Sequence, residues 1–234
     1  IHTEQVTRES LMQSSKPWKG IDSGIDLIHQ FNPVYQLGNS YTNLGSYGSP
    51  IFSRNFQPFT DATFRTGIKG HDPYLYQPES LPFLDTYTPF TDLHYEQLTN
   101  GELQDLRGVH SRNISPFWNV AVRFNTMRTN GAYLAQQNDW TNIALNTRFQ
   151  SANGRYKGLL SGIWNSMRNQ QNGGIADINE FKDPETDNRT RVNVNLEGAF
   201  SRYKKQDYTY DQFWYLGKEQ RDTIYEDQDP FVQQ

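Results

Sequence analysis

Ser115–Arg128 reads SPFWNVAVRFNTMR. In an extended chain Trp118, Val120, Val122 and Phe124 fall on one side. Asn119, Arg123 and Asn125 fall on the other, with Ala121 among them. Strict alternation of this kind is the mark of a β-strand with two unlike faces, because side chains reverse direction at every residue. The fold turns on what each face meets. One pair of surroundings is a protein core and water; the other is lipid and a water-filled lumen.

The same texture continues on both sides. TDLHYEQLT and ELQDLRGVHS flank Asn100-Gly101, a dipeptide that turns tightly because both positions accept positive φ. DWTNIALNTRFQ sets Thr141, Ile143, Leu145, Thr147 and Phe149 against Asn142, Ala144, Asn146 and Arg148. NGRYKGLLSGIWNSMRN follows a second Asn-Gly, at Asn153-Gly154. NRTRVNVNLEGAFSR alternates Val192, Val194, Leu196, Gly198 and Phe200 against Arg191, Asn193, Asn195 and Glu197, and DYTYDQFWYLGK comes after it. These runs predict seven strands of about 9 to 14 residues, longer than the ~5–6 usual in globular proteins and long enough to cross a bilayer at ~9–11. The connections alternate: SRNISP, SANG and YKKQ are short, while TNGAYLAQQN and QQNGGIADINEFKDPETD are longer, with the tight TNG of the first hairpin as the exception. Short turns at one end and longer loops at the other are the habit of outer-membrane barrels.

Composition narrows the choice. Of the 234 residues 35% are hydrophobic and 14% aromatic. That combination suits thin apolar faces bordered by rings and argues against a disordered chain, which is poor in aromatics. The formal net charge of -4, with basic and acidic residues interspersed, implies no attraction to nucleic acid. There is no cysteine, so disulfides, thiol chemistry and Cys-based zinc sites are excluded. No run approaches the ~18 apolar residues of a transmembrane helix, which leaves barrel strands untouched.

Residues 1–89 differ from the rest of the chain. QLGNSYTNLGSYGSPIFSRNFQPF is rich in Gly, Ser, Asn and Tyr, and Pro73, Pro78, Pro82 and Pro89 punctuate the next stretch. Prolines at this spacing disfavour helix and central strand, so an extended, looping segment is expected, with edge-strand pieces near Ala62–Ile68. The chain divides into this segment, strands over 90–217, and a polar tail or loop over 218–234. The expected fold is all-β: an antiparallel up-and-down transmembrane β-barrel, of which these strands form only part. The predicted number of strands is odd, and an open sheet edge in lipid is prohibitively costly.

YQLGNSYTNLGS, DTYTPFTDLHYEQ, GVHSRNISPFWNVAVRF, TNGAYLAQQND, NTRFQSANGRY and NQQNGGIADINEF occur in this order. Together they resemble the putative porin family of Bacteroidota outer membranes, over roughly residues 30 to 200. The resemblance implies an outer-membrane barrel of porin form, with no catalytic residues and no fixed substrate. Family members are several hundred residues long, so this chain reads as the N-terminal portion of a longer barrel.

On this reading Arg107, Asn119, Arg123, Asn125, Arg148, Arg191, Asn193 and Glu197 face the lumen. Trp118, Val120, Val122, Phe124, Trp164, Val192, Val194 and Leu196 face lipid or its boundary. Trp118, Trp140, Tyr156, Trp164, Tyr208 and Trp214 form an interfacial girdle, with a soluble core and a sugar-stacking platform as the competing readings. Lipid and other envelope proteins are the expected partners, and no cofactor or metal is expected. The five histidines are scattered, although His94 and His110 lie on adjacent strands and are the pair placed to approach each other. Glu96, Glu102 and Asp105 sit beside the first hairpin; paired-carboxylate chemistry works across a cleft, and their place as neighbours at a tight turn accounts for these three. The acidic loop Asp177–Asp187 lacks the glycine an EF-hand requires, and NQQNGGI lacks the ending of a phosphate-binding loop. A passive or weakly selective pore is the leading function, ahead of a docking barrel or a soluble glycan-binding β-sandwich.

Overall fold

A computed structural model describes residues 3–8, 18–21, 34, 37, 40–44, 46–56, 69–98, 102–182 and 192–216. The expected edge-strand pieces near 62–68, the Asn100-Gly101 turn, Arg191 and the polar tail lie outside the described residues. The main body is one antiparallel sheet of six strands: β6 (Phe90–Gln97), β7 (Leu103–Ser115), β8 (Trp118–Thr129), β9 (Asn138–Gln150), β10 (Tyr156–Gln171) and β11 (Ala199–Trp214), paired in chain order. Before them come β1 (Thr3–Val6), β2 (Lys19–Gly20) and β5 (Phe83–Thr86), which make a three-stranded sheet in the order β2-β1-β5. The strands β3 (Tyr41–Asn43) and β4 (Ile51–Ser53) make a small hairpin, and Lys69–Tyr74 is a short 3-10 helix.

The meander arises from the sequence. β7 and β8 are joined by Pro116 and Phe117 alone, and the β9–β10 turn uses Gly154 at φ 68°, a conformation open to glycine at no steric cost. Both turns lie at one end of the sheet. The longer connections, 130–137 and 172–198, lie at the other. The expected short connections after β7 and β9 and the longer ones after β8 and β10 are therefore found, while the third expected short connection, at Tyr203–Gln206, is not.

One strand assignment is corrected. The predicted seventh strand and the last residues of the predicted sixth form a single 16-residue strand, β11, that runs through Tyr203–Gln206, where a turn was expected. Its alternating predecessor, residues 192–198, belongs to the long connection. There Ile175 bridges Val194, and the Asn195 amide donates to the Gly174 carbonyl at 3.0 Å. Val192 and Val194 are buried, so neither sits on an exposed strand face; Leu196, Asn193 and Glu197 share the connection with them. A short alternating run cannot say whether its partner is a neighbouring long strand or its own loop.

The sheet is inverted relative to a soluble protein. The face carrying Asn119, Ala121, Arg123, Asn125 and Met127 is covered by the N-terminal elements, and Asn119, Ala121 and Met127 are almost fully buried. The opposite face carries Trp118, Val122, Ile143, Leu145, Phe149 and Leu160, all exposed, from 42% at Trp118 to 50% at Leu160. Tyr208, Tyr210 and Trp214 extend the same face onto β11. Across the register Phe124 lies opposite Gly108, and a Cβ on Gly108 would collide with the Phe124 ring. The ring thus lies flat over the glycine, and this pairing fixes two strands on the bare face.

Replacing Gly108 by Val should lift the Phe124 ring and cost about 1–3 kcal/mol by overpacking. Equilibrium denaturation would read this, and the loss should shrink when Phe124→Leu is added to the same chain.

Candidate functional site

The covered face is built from amides. In β9 and β10 two-residue periodicity places Asn142, Asn146, Asn165 and Asn169 on one side, and the register sets Asn142 beside Asn165 and Asn125. Across these strands lies the stretch 74–86, which leaves the 3-10 helix at Tyr74, turns over 78–80 and ends in β5, and whose backbone needs partners because it belongs to no large sheet. The side-chain amides supply them. Asn165 pairs with Tyr76 twice: its Oδ1 accepts from the Tyr76 N–H at 3.1 Å, and its Nδ2 donates to the Tyr76 carbonyl at 3.0 Å. Asn142 Nδ2 donates to the Tyr74 carbonyl at 2.7 Å. Asn146 Nδ2 and Arg123 Nη2 both donate to the Pro82 carbonyl, at 2.7 and 3.2 Å. A primary amide carries the same donor and acceptor pair as a peptide group, so a row of asparagines can act like the edge of a strand.

Charges hold the strap at its ends. Arg148 Nη2 lies 2.7 Å from Asp85 Oδ2, and its guanidinium sits 5.2 Å from the Trp18 ring. Asn113 Nδ2 donates to Asp85 Oδ1 at 2.9 Å. Lys205 Nζ donates to Gln77 Oε1 at 2.9 Å, and Arg8 pairs with Asp211 at 2.8 Å. Nearer the long connections, Arg107 donates to Asp105 and to the Tyr47 hydroxyl, the latter at 2.9 Å. Burial, with Asp105 beside it, raises the Tyr47 phenol well above its ordinary range, so it remains a hydrogen-bonding hydroxyl.

Apolar contacts fill the spaces between these anchors. Met127, Trp140 and Met167 are register neighbours and pack with Ile51, Tyr74 and Leu103. Tyr74 and Trp140 rings lie 4.5 Å apart. Leu81 meets Ala144 and Ile163, and Val6 and Phe83 meet Leu159.

Five expected inward-facing residues, Arg107, Asn119, Arg123, Asn125 and Arg148, share this covered face. Asn193 instead bonds Glu180, and Glu197 offers its carbonyl to Gln170. Of the expected outward set, Trp118, Val120, Val122, Phe124 and Trp164 lie on the bare face. Trp140 does not belong to a girdle: it is 2% exposed within the covered face. Trp164 donates to the Tyr208 hydroxyl at 3.0 Å in the middle of the bare face, while Trp118, Phe149, Tyr156 and Trp214 gather at the short-turn end. His94 and His110 cannot converge, since they point to opposite faces: His94 is opposite Arg107, and His110 Nδ1 is 2.8 Å from Thr91 Oγ1. Among the described residues no group of His, Asp or Glu is arranged to hold a metal.

Sequence reading missed Asn165, Asn169, Tyr76, Pro82 and Asp85 as members of this site. The first two carry a signal, amides four apart in an alternating strand. The other three carry none, because they take part mainly through backbone or through a distant arginine.

The chain matches a family described as putative porin over residues 9–233. No curated protein and no solved structure matches it.

Two outcomes test the strap. Asn165→Leu should strand the Tyr76 N–H and carbonyl, at a cost of about 2 kcal/mol or more, and hydrogen exchange at Tyr76 should then speed up roughly thirtyfold. His71 sits 3.0 Å from the Asn169 amide nitrogen, which donates to Nε2, and burial lowers its pKa from 6.5. The unfolded chain takes up the proton first, so this contribution is complete above pH ~6.5 and is lost as pH falls toward the lower folded value. Protection of the 69–76 amides, corrected for the intrinsic exchange rate, should fall on acidification, and His71→Gln should flatten that fall.

Proposed function

From its membership of the putative porin family, we propose that this chain contributes a wall section of a porin-like β-barrel in the bacterial outer membrane. The observation that carries the proposal is the inverted sheet, with amides and arginines packed inward and a bare face of Val122, Ile143, Leu145, Leu160 and aromatic rings. A soluble sandwich would bury that second face in its core; lipid satisfies it directly. The 12 residues of β8 extend about 40 Å at ~3.4 Å each, enough to cross a ~30 Å hydrocarbon layer at the usual barrel tilt.

Among the described residues β6 and β11 are each paired on one side only. A spanning sheet requires closure, so further strands complete the wall at both edges. The inward face lines the lumen, and the strap across it narrows the passage along these strands. Among the described residues Asn142 and Asn146 Oδ1 have no hydrogen-bond partner, and a hydrated interior accommodates such atoms better than a dry core. Inward charges are paired within the chain, Arg107 with Asp105, Arg148 with Asp85 and Lys205 with Asp207, and this neutralisation favours weak ion selectivity and passive diffusion.

Val122→Arg should impair membrane assembly by about 2–4 kcal/mol if it lies near the midplane, and Asn125→Arg should cost far less. Equal tolerance at the two sites would contradict the assignment of faces. Single-channel recording of the full chain in planar bilayers addresses the pore itself: stable insertion without conductance would leave a docking barrel in its place.

A further inference from the structure

One row on the bare face breaks its apolar character. At the end of the sheet nearest the long connections, the register lines up Arg128, Asp139, Arg168 and Arg202 on four successive strands. Asp139 is already shared: Arg128 Nε lies 3.5 Å from it, and Gln137 Nε2 donates to both its oxygens at 3.1 and 3.2 Å. Arg168 and Arg202 are directly opposite each other, and neither meets a carboxylate among the described residues. Both guanidiniums instead lie against one ring, Phe200, at 4.7 and 5.8 Å from its centroid.

Like charges in direct cross-strand register repel. The shared ring holds their planar groups in place and, among the described residues, leaves their N–H donors without an acceptor. The opposite rim of the same face is built of Trp118, Phe149, Tyr156 and Trp214. The two ends of the bare face therefore differ in chemistry. One suits a neutral interface. The other presents two forked cations where an apolar band stops.

We propose that Arg168 and Arg202, stacked on Phe200, bind the phosphate headgroup of an anionic membrane lipid whose acyl chains lie along the neighbouring apolar face. Each guanidinium offers a bidentate face to phosphate oxygens, and one phosphate between them removes their mutual repulsion. An amphiphile is the occupant because Ser166, Trp164 and Leu160 continue from Arg168 down the same face of β10 toward apolar surface. The site rests on the membrane reading of the bare face.

Native mass spectrometry of the full chain in detergent, with dioleoyl phosphatidic acid or dioleoyl phosphatidylcholine added, tests it. The wild type should prefer phosphatidic acid by about tenfold, or ~1.4 kcal/mol. Arg168→Gln with Arg202→Gln should abolish the preference, Phe200→Leu should weaken it with both charges kept, and Arg112→Gln on the same face should leave it intact. A preference that survives the double change overturns the site. So does displacement of the lipid by millimolar inorganic phosphate, which would mark a free-anion site. A chain that needs detergent yet shows no preference overturns the headgroup site alone. A chain that is monodisperse in plain buffer overturns the membrane reading beneath it.

Discussion

The pairing of side-chain amides with a crossing backbone is the interaction on which the rest of this structure depends. Asn142, Asn146 and Asn165 turn the inward surface of β8–β10 into a row of peptide-like groups, and the 74–86 stretch lies down on them. That stretch covers Asn142 and Asn146, which are almost fully buried beneath it. With it, polar groups are packed by polar groups, and hydrophobic contact is confined to three small clusters. The sheet gains a filled interior in which small apolar clusters sit between polar pairs.

The inward face is thus satisfied by the chain itself, which leaves the apolar face with no protein to cover it among the described residues. Burying apolar surface in another protein layer and placing it in lipid remove it from water equally well. The two solutions differ in what the polar face needs. A sandwich leaves its polar face in bulk water; a barrel turns that face toward a confined space that a strap can cross. The proline-rich composition of residues 73–89 suits the second role. Proline cannot donate, and a strap that offers carbonyls such as that of Pro82 fits a wall rich in Asn and Arg donors.

Membership of the putative porin family agrees with this arrangement and adds nothing about what passes. The strap bears on that question directly. Residues that alternation places toward a lumen, Arg123 and Arg148 above all, hold Pro82 and Asp85 rather than standing free in a channel. Selectivity arguments built on inward-facing charges must first subtract those already neutralised within the chain.

Sequence alone determined the strands from β7 to β10, the faces of β8 and β9, the tight Asn153-Gly154 turn, and the placement of short and long connections at opposite ends. All of these follow from period-two alternation and local turn chemistry, which act over a few residues. It did not determine the fate of Val192–Gly198, whose alternation pairs with its own loop, or the burial of Trp140 beneath Tyr74. Nor did it reveal the strap: Tyr76 and Pro82 are recognised through backbone atoms common to every residue, by side chains 41 to 89 positions away. Local periodicity tells which side chains share a face. What lies against that face depends on contacts between distant segments, and only the tertiary structure decided it.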